Sequence, residues 1–209
     1  MKFLLLHGSF GSPQGNWFPA LKEKLELLNQ DVLAPQFPID DWEEITSLGH
    51  QAQTKSQTLD NWLTTFEHQV LPWSNGEKIV VVAHSLAPLF LLHALSRFEF
   101  FIDAAIFVSP FLTLERNQDH WQIHAANTTF YTHAFNYPRL RQKIPLSFVV
   151  YTTQDPYVPT KKAIDFATKL KSSLIPISGA KHLSSEFPNN NFPLIVELCK
   201  TRIPLSNQS

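Results

Sequence analysis

The stretch KIVVVAHSLAPLFLLHALS, residues 78–96, constrains the architecture of this chain more than any other. A β-branched run over 79–82 stops abruptly at Ala83-His84-Ser85-Leu86-Ala87, and an apolar segment of helical length follows with Pro88 near its start. Proline is tolerated in the first turn of a helix, where the missing N–H had no partner to lose, and it breaks a helix that began earlier. The stretch therefore reads as strand, sharp turn, helix, with Ser85 at the apex. Small residues two before and two after such a serine let the strand and helix backbones pass close to each other, as a nucleophile held on a sharp turn requires. Glycine is usual at those two places; here they are Ala83 and Ala87. A serine at a strand-to-helix junction is equally what an N-cap requires, so residues elsewhere must decide between the two.

The rest of the chain repeats the alternation. Residues 3–6 are a short apolar run ending at His7-Gly8, which fits a buried strand, and 9–16 is a loop rich in Gly and Ser. Trp17, Leu21, Leu25 and Leu28 recur at helical spacing, and 31–35 returns to strand. Leu59, Trp62, Leu63, Phe66 and Val70 give a second amphipathic helix, which Pro72 is expected to stop, and Asn75-Gly76 turns into the central strand. Further strands are expected at 102–108, 146–151 and 173–177, and helices at 161–170 and 192–199. With no internal repeat and no linker, this alternation predicts a single α/β domain over 1–209 with a mostly parallel central sheet and helices on both faces.

Two segments break the pattern. Residues 36–56, with Asp40, Asp41, Glu43 and Glu44 around Trp42, read as a long loop with a solvated acidic surface and room for one short helix. Residues 111–137 have no clear period but are dense in aromatics and histidines. Following a sheet strand, that segment is either a lid over a pocket or an ordinary packed excursion.

Composition excludes several function classes. With 209 residues, 44% of them hydrophobic, the chain can bury one substantial core. Charged residues are 17% and the net charge is −1, so no basic field points to nucleic acid or anionic lipid. The N-terminal apolar run is too short for a signal segment and no later run spans a bilayer. The lone Cys199 rules out an internal disulfide and suits structural burial in a reducing compartment. The expectation is a soluble, cytoplasmic protein with a small-molecule substrate, no nucleic-acid or membrane partner, and no protein partner that the residues identify.

In open α/β sheets, ligands bind outside the carboxyl ends of the strands. His7-Gly8, Ser85, Asp155 and His182 all fall at such ends, and the last three run in the order Ser, Asp, His, the chain order of α/β-hydrolases. That coincidence favours a nucleophile over a helix cap at Ser85. Asp155, before Pro156, is also a candidate for an Asx turn, and His182 for a cap or surface histidine. His84 adjoins Ser85, but neighbours in a sharp turn point apart, so it is expected to pack the elbow rather than act as base. His120 and His124 stand four apart with His133 beyond them, yet Trp121 sits where a zinc peptidase has its glutamate and no Cys or paired carboxylate is near, so no metal is expected. Gly8-Ser9-Phe10-Gly11 lacks both the dinucleotide spacing and the P-loop lysine.

Four segments carry a resemblance: LLLHGSFGSPQGNWFPALKEKL near the N-terminus, VVAHSLA at the turn, TTQDPYVPTKKAIDFATKL around Asp155 and GAKHLSSE around His182. In them the chain resembles the α/β-hydrolases, and more specifically the small serine hydrolases of the retinoblastoma-binding-protein-nine type. Segments 36–56 and 111–137 show no such likeness. The resemblance implies that Ser85 attacks an acyl carbon, that His182 takes its proton and returns it to the leaving group, and that Asp155 fixes the imidazole tautomer. It places the oxyanion-hole donors at the backbone N–H of Leu86 and in the loop after His7-Gly8, at Ser9 with Phe10 in reserve. The implied activity is cofactor-independent hydrolysis of a small carboxylic ester, or less readily an amide, through an acyl-enzyme on Ser85. The alternative is a binding module that kept the fold and lost the chemistry, which would have no need of all three groups.

Overall fold

Strands buried on both faces of a parallel sheet read as continuous apolar runs, and three such runs form the middle of this sheet. The computed structural model describes residues 1–77, 79–116, 119–131, 134–185 and 191–204. Lys78, His133 and part of the segment 111–137 lie outside the described residues. In chain order the elements are β1 (Lys2–Leu6), α1 (Phe18–Leu27), β2 (Asp31–Leu33), α2 (Trp42–Leu48), α3 (Leu59–Thr65), α4 (Leu71–Ser74), β3 (Ile79–His84), α5 (Ala87–Arg97) and β4 (Ala104–Val108). They continue with α6 (Trp121–Asn127), α7 (Tyr137–Lys143), β5 (Ser147–Thr152), α8 (Thr160–Leu170), β6 (Ser173–Ile177) and α9 (Pro193–Lys200).

The six strands are ordered β2-β1-β3-β4-β5-β6, and every pair is parallel. Successive side chains alternate between faces. Phe3, Leu5, Val80, Val82 and Ile106 share a core with α1 and α9, while Leu4, Leu6, Val81, Ala83 and Phe107 pack under α3, α5, α7 and α8. Each fully buried Val, Leu or Phe here contributes about 1.5–3 kcal/mol, so the two-sided burial of β1, β3 and β4 makes them the most strongly held part of the sheet. Edge strand β6 is half-exposed and tolerates Pro176, as only an edge can. The domain is therefore single, with helices on both faces. Among the described residues no helix is long and apolar enough to cross a membrane.

The chain leaves β1 for β2 on one side and reaches β3 on the other, so strand order reverses between β1 and β3. Crevices for ligands open at such a switch point. Register pairs Leu6 with Ala83, which brings the turn after β1 beside the turn after β3.

Two expectations need correction. Pro72 does not end the second amphipathic helix: a π-helical turn over Phe66–Val70 joins α3 to α4, and Pro72 falls in the first turn of α4, where it needs no N–H. The helix ends instead at Asn75, its C-cap, with φ +42°. In the acidic segment, Asp41, Glu43 and Glu44 are exposed as expected, but Asp40 is buried. Its carboxylate accepts the backbone N–H groups of Lys55 (3.0 Å), Ser56 (3.2 Å) and Gln57 (2.8 Å), tying the two ends of a long excursion together.

Candidate active site

Ser85 follows β3 directly and has φ +61°, a left-handed conformation that an L-residue with a side chain adopts at a cost of about 1–3 kcal/mol. Its N–H donates to Val108 O (2.9 Å), which holds the turn against β4. Leu86 is the N-cap of α5 and no side chain caps that helix, so Ser85 is not a cap. Its hydroxyl instead lies 3.1 Å from His182 Nε2. Ala83 and Ala87, both fully buried, flank the turn without preventing it.

His182 Nδ1 lies 2.8 Å from Asp155 Oδ2. The other oxygen of Asp155 accepts the N–H groups of Tyr157 and Val158, each at 2.9 Å. Asp155 thus makes an Asx turn with one oxygen and serves the histidine with the other. Burial alone would raise its pKa, but the His182 hydrogen bond and charge, with the Val158 and Tyr157 N–H donors, hold the carboxyl below its usual range. The arrangement supports one proton path: the Ser85 hydroxyl donates to Nε2, and Nδ1–H donates to the carboxylate.

The loop carrying His182 is pinned at several points that the sequence did not reveal. The His182 carbonyl accepts from His84 Nε2 (3.0 Å) and from Ser109 Oγ (3.3 Å). Trp17 Nε1 donates to Leu183 O (2.8 Å) and Thr152 Oγ1 to Ala180 O (2.8 Å). The ring of Tyr157 stands edge-on to His182 at 5.0 Å. His84 does pack the elbow, against Trp17 at 5.9 Å, but it also anchors the backbone of His182. Ser109 and Thr152 both stand where a strand ends, which is the one signal that could have found them.

The turn after β1 completes the site. Gly8 lies against the serine: a Cβ there would sit 2.7 Å from Ser85 Cβ and 3.2 Å from Ser85 Oγ. Phe10 N–H donates to Gln57 Oε1 (2.8 Å), so the reserve donor is already engaged. Among the described residues neither the Ser9 nor the Leu86 N–H has a partner. A cleft of about 340 Å³ is lined by Gly8, Ser9, Phe10, Ser85, His84 and His182. Phe10, Ser85, Ser109 and Leu183 all have positive φ, so backbone strain gathers around this cleft.

His7, one residue before Gly8, is buried. Its Nε2 accepts the Phe37 N–H (3.0 Å), which leaves the ring proton on Nδ1 to be donated to Gly8 O (2.8 Å). Burial, partly offset by the Gly8 hydrogen bond, holds its pKa below the ordinary imidazole value. The unfolded chain therefore takes up this proton first. Stability present above pH ~6.5 should fall as pH drops toward the folded value, at up to about 1.4 kcal/mol per unit. Thermal melts from pH 7.5 to 5 should show the decline, and His7→Gln should flatten it; an unaltered slope would remove His7 as its source.

Of the histidines considered as metal ligands, His133 lies outside the described residues, and His120 and His124 line one small pocket. His120 stands edge-on to Tyr157 at 4.6 Å, and His124 Nδ1 donates to Leu114 O (3.1 Å). Among the described residues no group of three His, Cys, Asp or Glu is placed to hold a metal ion.

A family model described as Serine hydrolase matches residues 3–200. No curated protein is detectably similar in sequence. Among solved structures, the ydeN gene product of B. subtilis aligns with a TM-score of 0.75 at 19% identity, covering 96% of this chain and 97% of that one. Est1E from Butyrivibrio proteoclasticus, solved with ferulic acid bound, gives 0.65 at 17% identity, covering 96% and 86%. A structure from a study of carboxylesterases of the thaumarchaeon Nitrososphaera gargenis gives 0.64 at 14%, covering 96% and 90%. At these identities the likeness to solved structures is one of fold.

Proposed function

The chain belongs to the serine hydrolase family, and from that premise we propose that it cleaves small carboxylic esters through an acyl-enzyme on Ser85. The observation that carries this reading is the unbroken hydrogen-bond path from strained Ser85 through His182 to Asp155, whose side chain is nearly inaccessible.

In the first step His182 Nε2 removes the Ser85 proton as Oγ attacks the ester carbonyl carbon. Negative charge develops on the former carbonyl oxygen, and the Leu86 and Ser9 N–H groups stabilise it. The tetrahedral intermediate collapses: the C–O bond to the alcohol breaks, and the imidazolium returns the proton to the departing oxygen. Water then repeats the sequence on the acyl-enzyme, releasing the carboxylic acid and restoring Ser85. Asp155 stays ionised and holds Nδ1–H in place throughout. These steps draw on side chains, two backbone donors and water, with no cofactor. An amide is a poorer substrate because its leaving group needs the same proton more completely transferred.

Within the family, the four motifs that resemble the retinoblastoma-binding-protein-nine type support placement in that branch. A cytoplasmic setting is supported by the single, buried Cys199, whose thiol burial pushes to a raised pKa and so makes unreactive.

A fluorophosphonate probe is expected to form one adduct, located on Ser85 by mass spectrometry, and a graded panel of p-nitrophenyl esters is expected to be hydrolysed. No adduct and no turnover would overturn the reading and leave the binding module.

Gly8→Ala tests the close approach of the two turns. The new Cβ forces Ser85 or the oxyanion loop aside, and a displacement near 1 Å costs about 100-fold in rate. We expect kcat to fall by about that factor; unchanged kcat would show that the two turns need not touch.

A further inference from the structure

The turn that carries Ser9 and Phe10 has little backbone structure of its own. A single main-chain bond, Gly11 N–H to Gly8 O (3.1 Å), closes it. Its two central residues are held by the side chains of Asn127, inside the segment 111–137, and Gln57, just past the segment 36–56. Ser9 Oγ donates to Asn127 Oδ1 (2.6 Å), at the end of α6, and Phe10 N–H donates to Gln57 Oε1 (2.8 Å). The two anchors are themselves joined: Gln57 Nε2 donates to Asn127 Oδ1 (3.2 Å) and to Ala126 O (3.3 Å).

Both anchors are fully buried, and each is supported from behind. The carboxylate of Asp40 fixes the backbone of residues 55–57. Leu59 N–H donates to Thr129 Oγ1 (3.0 Å), and His93 Nε2 donates to Phe130 O (2.8 Å), so the end of α6 is bolted to α3 and α5. Asn127 Oδ1 accepts from both Ser9 Oγ and Gln57 Nε2, so the two anchors are fixed to each other as well as to the turn, while Asn127 Nδ2 has no hydrogen-bond partner among the described residues. What this pair fixes is the position of Ser9. With the Phe10 N–H engaged by Gln57, the Ser9 N–H is the donor left for a developing oxyanion.

Resting on the hydrolase reading above, we propose that Gln57 and Asn127 are positioning residues that clamp the oxyanion loop from both sides and set the Ser9 N–H for the transition state. The described part of segment 111–137 then acts as a fixed wall rather than a moving cover. A donor of this kind contributes to the transition state and little to the ground state, and losing one outright costs about 100- to 1,000-fold in kcat. Loosening it should cost less.

The test is a double-mutant cycle on p-nitrophenyl ester hydrolysis with Ser9→Ala, Asn127→Leu and the pair, alongside Gln57→Leu. Each single change should lower kcat about 10- to 100-fold with KM moving less than about threefold, and the pair should lose no more than the worse single. Wild-type kcat in the singles, a loss confined to KM, or additive losses in the pair would each overturn the clamp. If the buried variants fail to fold, Ser9→Ala at its half-buried position decides alone: an unchanged kcat overturns the proposal. Phosphonylation of Ser85 in the wild-type protein separates the two failures. Turnover and labelling with insensitive variants reject only the clamp, whereas absence of both in the wild type rejects the hydrolase reading and the clamp with it.

Discussion

Ser85→Ala is expected to reduce ester turnover by on the order of 10⁴-fold or more and to abolish the fluorophosphonate adduct. The nucleophile is lost entirely, while the oxyanion donors and the cleft remain, and residual catalysis from those alone is small beside that of a complete triad. The fold should survive. Alanine carries the same Cβ, so the left-handed φ of +61° costs it as much as serine, and the backbone bond to Val108 is untouched. What disappears is one hydrogen bond to His182, worth about 1 kcal/mol. A variant that melts like the wild type yet turns over nothing separates catalysis from folding. A variant that keeps wild-type turnover would mean that another group attacks the substrate, and the triad as drawn would be abandoned.

The sheet was legible because its physics is local. Residues 3–6, 79–82 and 104–108 are apolar on both faces, and a strand buried on both faces cannot be otherwise. Ser85, Asp155 and His182 were legible for a second reason: each follows a strand, and the sheet delivers all such ends to one edge. Gln57 and Asn127 lacked any comparable signal. Each is a neutral polar residue in an aperiodic stretch, where solvated loop is the default reading, and their partners lie 47 and 118 residues away in the chain. Asp40 was misread for the same reason, since one buried carboxylate among exposed ones looks no different in the sequence. Pro72 failed differently. The rule that proline ends a helix assumes an unbroken α register, and the π-helical turn before it supplied a fresh first turn in which proline fits.

Asp155→Asn should be nearly as damaging as loss of the nucleophile, on the order of 10⁴-fold in kcat, while leaving the fold in place. The reason lies in the division of labour between the two oxygens. One accepts the Tyr157 and Val158 N–H groups and builds the turn; the other accepts His182 Nδ1–H. An asparagine keeps its single oxygen where two donors already point, which turns its NH₂ toward the imidazole. His182 Nδ1 must then accept, the ring proton moves to Nε2, and the atom that should take the Ser85 proton already carries one. Stability should change with a definite sign. The folded carboxyl titrates below its usual range, so its contribution is present above the unfolded pKa of ~3.9 and is lost as pH falls through the lower folded value. The asparagine variant should lack that acid-limb slope and remain inactive across the whole pH range. Measured kcat, thermal melts between pH 3 and 5, and the imidazole N–H resonances of His182 together check the argument. Full activity with the proton still on Nδ1 would show that the carboxylate holds the loop and nothing more.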